Sequence, residues 1–148
     1  MIFASRLQQL LAAVWAGILL AVGGIAAPSL FAVLDRSLAG LAAGRIFAIE
    51  AYVSLVLAMT LFFIERQRTR QAALQSGQSL MSAELMLVMG ALFATVLSHF
   101  ALSPMIVAAK AGEVGRLSFG TLHAMSSSLF LFKGVLVLAL AWRLTGRR

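Results

Sequence analysis

Charge punctuates this chain instead of alternating with apolar residues: from Leu7 to Leu34 no position is ionisable, and three further long apolar stretches follow. A helix needs about 20 largely apolar residues to span a hydrocarbon core, and it must satisfy its own backbone hydrogen bonds there. The pattern predicts spans around Gln8–Val33, Arg45–Ile64, Ser82–Leu102 and Ser118–Trp142. Glu50 alone interrupts the second, His99 is the one ionisable group between Leu85 and Ala109, and Lys133 lies inside the fourth. The expected fold is all-α, a four-helix transmembrane bundle built from two helical hairpins. Arg6 and the small residues Ile25-Ala26-Ala27 invite a cleavable-signal reading. The apolar run is too long for the ~7–15-residue core of a signal peptide, so a span is expected instead.

Composition sharpens this picture. Apolar residues fill 61% of 148 positions and charged ones 11%, too little polar surface to cover a soluble domain. The excess calls for a lipid bilayer as partner, and one bundle uses nearly the whole length as a single domain. The net charge of +7 does not point to nucleic acid, because the basic residues are scattered between apolar runs. Without cysteine, any metal ligands must come from His, carboxylate or Met.

The connections set an orientation. Four spans put Arg6, Arg66, Arg68, Arg70, Arg143, Arg147 and Arg148 on one side, and Arg36, Arg45, Lys110 and Arg116 on the other. The Lys/Arg-rich side faces the cytoplasm, so both termini and a polar loop from Glu65 to Ser79 are expected there, in a bacterial inner membrane. Helices in lipid associate through small residues, which makes Ala13, Gly17, Ala21 and Gly24 the expected contact stripe of the first span and Leu19 a lipid-facing or gap-filling residue. Pro28 is expected to kink or end that helix. A shift of 76 positions superimposes Pro28 on Pro104, Gly44 on Gly120 and Ala48 on Ala124. Each hairpin then reads as helix, proline, glycine-containing outer loop, helix, with Gly40 and Gly44 in structural roles.

Ionisable groups inside a span face the bundle interior and pair. His99 and His123 lie twelve residues either side of Ala111, and Glu50 eleven after Ala39, so the three are expected at similar depth near the outer surface. With Ser126 they form a candidate ligand-binding cluster. The alternatives are that each histidine bonds a nearby carbonyl or serine, and that Glu50 bonds Arg45 or water. Lys133 is ten positions from Arg143, roughly 15 Å inside the bilayer at 1.5 Å per residue, and Glu84 is its expected partner. His123, Ser126, Ser127 and Lys133 share one side of the fourth span, and Glu84, Thr95, Ser98 and His99 one stripe of the third, predicting a polar seam. Met81, Met86, Met89, Met105 and Met125 read as apolar filler rather than a copper site.

The motifs Ala27-Pro28-Ser29-Leu30-Phe31 and Leu122-His123-Ala124-Met125-Ser126, with Trp15-Ala16-Gly17 and Gly44-Arg45-Ile46-Phe47, resemble the bacterial branch of the transmembrane protein 205-like family. That resemblance implies a four-span domain of undefined activity, with Pro28, Phe31, Gly40, Gly44, Phe47, His123 and Ser126 matching its pattern. Lys133 stands where that pattern has a neutral polar residue.

No Gly-rich phosphate loop or spaced nucleophile, base and carboxylate is present, so hydrolytic and phosphoryl-transfer enzymes are not expected. The leading expectation is a non-catalytic module that binds or helps move a small ligand or ion through the polar seam. The alternatives are a structural or assembly subunit of a membrane complex, a homo-oligomer included, and a haem- or metal-dependent redox protein using His99 and His123.

Overall fold

In the computed structural model, which describes residues 2–112 and 117–146, four long helices follow one another. They are α1 (Phe3–Val33), α2 (Arg36–Ser76), α3 (Ala83–Lys110) and α4 (Phe119–Thr145), each long and apolar enough to cross a membrane. Arg116, Arg147 and Arg148, which entered the charge asymmetry, lie outside the described residues. The helices pack in cyclic order, α1 on α2, α2 on α3, α3 on α4 and α4 on α1, so α2 and α4 face each other across the diagonal.

The helices outrun the expected spans. The segment from Glu65 onward, expected as a loop, continues α2 to Ser76. Its residues are mostly good helix formers, and Glu65 and Thr69 turn one buried face toward the bundle. The helix stops where Gly77 adopts the left-handed conformation, φ 65°, and returns its N–H to the Ala73 carbonyl. Gly40 and Gly44, expected in an outer loop, lie within α2, which starts at Arg36 directly after α1.

Pro28 neither ends α1 nor breaks it. The helix runs on to Val33, and the missing proline N–H is absorbed by a π-helical turn at Val22–Ala26, where the Ala27 N–H reaches back to the Val22 carbonyl. The same device recurs in α3, with π-helical Leu97–Leu102 in front of Pro104 and the Ser103 N–H bonded to the Ser98 carbonyl. Thus the 76-residue offset that superimposes the prolines also superimposes two wide helical turns.

The core occupies the half of the bundle that carries both termini. Ala12, Trp15 and Leu19 of α1 meet Ala58 and Leu61 of α2, Val88 and Ala91 of α3, and Val137, Leu140 and Leu144 of α4. The buried face of α1 is not the expected one. Ala13, Gly17 and Ala21 point outward and Gly24 lies exposed against no neighbouring helix, while Trp15 and Leu19 point in. Trp15 decides the rotation: its large ring gains most by burial, and its N–H must find an acceptor, which α2 supplies. At Gly90 a Cβ would stand 2.9 Å from Leu136 Cδ1, so α3 and α4 come close there.

Four polar clamps tie the terminal end into a ring. Gln8 donates to Glu65 at 2.9 Å, joining α1 to α2. Ser82, the N-cap of α3, donates to the other Glu65 oxygen at 2.7 Å. Arg143 of α4 meets Glu84 of α3 at 2.9 Å, and Gln9 of α1 donates to the Leu144 carbonyl at 2.9 Å.

The outer surface is lipid-like. Leu10, Val56, Phe93 and Trp142 stand 61%, 66%, 64% and 82% exposed, around the whole bundle. The five methionines of the copper reading are likewise exposed, as apolar surface.

Candidate functional site

Toward the distal end, where α1 joins α2 and α3 joins α4, the helices part around a cavity of about 1140 Å³. Its floor is a buried polar layer drawn from three helices. Lys133 of α4 donates to both carboxylate oxygens of Glu50 on α2, at 2.8 and 2.9 Å, across the diagonal of the bundle. Ser54, one turn along α2, donates to Glu50 and accepts from the Trp15 indole N–H at 2.8 Å. The Lys133 ammonium is also 3.5 Å from the Ser54 hydroxyl, whose one donor and two acceptor positions are thereby all engaged. Glu50, Ser54 and Lys133 are at most 4% exposed, and among the described residues no buried side-chain polar atom lacks a partner. Phe130 roofs the ammonium, its ring centroid 5.2 Å from the nitrogen.

This arrangement corrects the expected ion pairing. Lys133 pairs with Glu50, and Glu84 pairs with Arg143. The reason is depth: Glu50 lies 14 residues into α2 from Arg36, and Lys133 14 residues into α4 from Phe119, so both sit at one level. Glu84 is the second residue of α3, at the terminal end, where Arg143 finishes α4. Glu50 correspondingly pairs with Lys133 and not with Arg45.

The walls carry the other expected residues. Ser98 and Ser126 face each other at 3.2 Å, the direct link between the polar stripes of α3 and α4. His99 lies edge-on to Tyr52 and Phe100, with ring centroids 4.9 Å away in each case, and His123 stacks on Phe119 at 5.8 Å. Glu50, His99, His123 and Ser126 all line the one cavity. They do so at different depths. His123 is four residues from the distal start of α4 and His99 eleven from the distal end of α3, which at 1.5 Å per residue is roughly 6 and 16 Å. The assumed symmetry about Ala111 fails because α3 ends at Lys110 while α4 begins only at Phe119. Among the described residues no three His, Asp or Glu side chains come close enough to hold a metal ion. The trio therefore does not fit a metal site, and Glu50 is already engaged by Lys133 and Ser54.

Small residues create the space. Gly24, Gly44 and Gly134 line the cavity with nothing within 4 Å of where a Cβ would stand. Gly44 thus serves no close helix contact. Gly23 does: its Cβ would fall 2.6 Å from Phe130 Cε1, so the glycine seats the ring that also meets Phe47 at 5.1 Å. Both π-helical turns contribute lining, Gly23 and Gly24 from one, Ser98 and His99 from the other. At the rim stand Arg36, the first residue of α2, and Lys110, the last of α3.

From sequence, Trp15 entered only within the Trp15-Ala16-Gly17 motif, without a role, and Ser54 was not singled out. The signal available was a serine one helical turn from an intramembrane glutamate, together with a tryptophan whose N–H needs a partner.

Four apolar membrane-length helices around a polar, cavity-bearing interior define an all-α, multi-pass membrane protein. The chain belongs to the family described as a domain of unknown function, DUF4149, whose model matches residues 10–114, from α1 through α3. Neither the curated proteins nor the solved structures contain a match.

Proposed function

We propose that the protein is a non-catalytic membrane module that binds a small ligand in the distal cavity and takes part in its movement across or within a bacterial inner membrane. The observation that carries this reading is the cavity itself. Its volume of about 1140 Å³ is above the ~300–1,000 Å³ usual for small-molecule sites, and mostly apolar walls surround a few convergent polar groups. A bundle held together only as a scaffold has no need of that space, which costs packing contacts along four helices. With both termini cytoplasmic, as the basic residues Arg6, Arg66, Arg68, Arg70 and Arg143 favour, the cavity opens toward the periplasmic leaflet and the four-clamp ring closes the cytoplasmic end. The quoted motifs support placing the chain near the transmembrane protein 205-like proteins. A haem-linked role for His99 and His123 gains nothing from the geometry, since they differ in depth and each packs on aromatic rings.

The test is extraction in native lipid nanodiscs, followed by mass spectrometry of what co-purifies. A stoichiometric non-protein molecule that disappears in Gly134→Leu, a lining position where an added Cβ meets nothing within 4 Å, supports the reading. A stoichiometric protein partner, with the same content of small molecules in both forms, overturns it in favour of an assembly subunit.

A further inference from the structure

We propose that the ligand is an anionic amphiphile of the bilayer, its carboxylate or phosphate head held between Arg36 and Lys110 and its hydrocarbon tail lying along the α1–α4 side of the cavity. The inference rests on the ligand-binding reading above and adds the chemical class. Three observations converge on it.

The first is unpaired positive charge at the mouth. Arg36 and Lys110 both line the cavity, and among the described residues neither forms an ion pair. Asp35, the one acidic residue described at this end, is not part of the lining. Lys110 is held in place by the fold: its ammonium is 5.6 Å from the Phe119 ring centroid and 3.3 Å from where a Gly40 Cβ would stand. Gly40 thereby gives the lysine room to lie across α2, and a cation held over an aromatic face at the mouth is well placed to meet an anion.

The second is the character of the side wall. Between α1 and α4 the lining is Leu20, Leu131, Val135 and Leu138, which stand 57%, 69%, 64% and 42% exposed. The outer end of α1, beyond its π-helical turn, packs on α2 and turns away from α4. A cavity flanked by large exposed aliphatic groups at bilayer depth admits a hydrocarbon chain from the side, without a passage through water. The third is the separation of chemistries. The charged floor is internally neutral, because Lys133 and Glu50 satisfy each other, so net charge in the described lining is concentrated at the rim. A head-and-tail molecule matches that division, whereas a small inorganic ion would leave the aliphatic side unused.

The experiment uses the protein's own reporter. The chain has two tryptophans, and Trp142 is 82% exposed at the far end, so Trp142→Phe leaves only Trp15, bonded through Ser54 to the cavity floor. In nanodiscs of dioleoylphosphatidylcholine, dibrominated stearate is titrated at alkaline pH while Trp15 fluorescence is followed, with the methyl ester as the uncharged control. Saturable quenching by the acid is expected, with only linear quenching by the ester. Arg36→Gln with Lys110→Gln weakens the saturable phase by about tenfold, as expected for the loss of two partly exposed charge contacts, and Gly134→Leu abolishes it. Equal saturation by acid and ester, insensitive to the two charge substitutions but lost in Gly134→Leu, overturns the anionic assignment and leaves the cavity as a ligand site. Saturable quenching that survives Gly134→Leu, or a nanodisc holding two copies that fill each other's cavities, overturns the proposal as well. If neither probe saturates, the amphiphile is wrong, while co-purification of another small molecule still decides the wider reading.

Discussion

Lys133→Met removes the cation from the polar layer and keeps most of the side-chain volume. In the native bundle the ammonium makes two charge-assisted bonds of 2.8 and 2.9 Å to Glu50, both partners about 4% exposed. After substitution the carboxylate keeps only the Ser54 hydroxyl among its side-chain partners. Removing one partner of a buried pair costs about 3–5 kcal/mol, most of it the penalty of the stranded charge. Glu50→Gln with Lys133→Met removes both charges and is expected to recover more than half of that loss. Unfolding of the purified bundle in mixed micelles, titrated with sodium dodecyl sulfate and followed by circular dichroism, reads the four corners of the cycle. The coupling between the two positions is expected at or above about 2 kcal/mol, the upper part of the range for contacting residues. If Lys133→Met matches the wild type within about 1 kcal/mol, or if the double variant is weaker than both singles, the buried pair does not organise the layer and the reasoning fails.

The Arg143–Glu84 clamp has the same 2.9 Å distance but a 52% exposed arginine side chain, so Arg143→Gln is expected to cost less than about 1 kcal/mol in the same titration. A cost equal to that of Lys133→Met would show that exposure does not set the ranking. Gly23→Ala forces a Cβ to 2.6 Å from the Phe130 ring and is expected to lose about 1–3 kcal/mol, whereas Gly44→Ala, with nothing within 4 Å, is neutral or slightly stabilising. Reversal of that order contradicts the packing described. Because the chain has no cysteine, Gln75→Cys and Gly112→Cys give single reporters at opposite ends of the bundle. An impermeant maleimide added to intact cells is expected to label Gly112→Cys only, and labelling of Gln75→Cys inverts the orientation.

The number of helices was legible because lipid imposes one simple rule, an uninterrupted apolar stretch of fixed length, and all four stretches obey it. Helix limits were less legible. Nothing in a hydropathy profile shows that the arginines after Glu65 continue a helix, since helix propensity and the buried face formed with Thr69 decide that, not polarity. The pairing of Lys133 failed for this same reason. Depth measured inward from Arg143 pointed to Glu84, whereas depth measured from the true distal helix starts puts Glu50 and Lys133 level at 14 residues each. The cavity was foreshadowed only in part. A polar seam on the third and fourth spans was readable from 100° periodicity, and Ser98–Ser126 forms its contact. That two π-helical turns would shape the walls was not readable, because proline announces a broken hydrogen bond without saying how the helix repairs it.

The diagonal pair also sets a timetable for biosynthesis. Glu50 and Lys133 are 83 residues apart in the chain, so at roughly 5–20 residues per second the carboxylate emerges about 4–17 s before its cation is made. For that interval α2 is a span with an uncompensated charge near its middle, and its partition into lipid is correspondingly weak. Until α4 is made, that carboxylate has only the Ser54 hydroxyl of its own helix to offset it. Arrival of α4 supplies the compensating ammonium, so the bond across the diagonal couples stable insertion of α2 to insertion of α4.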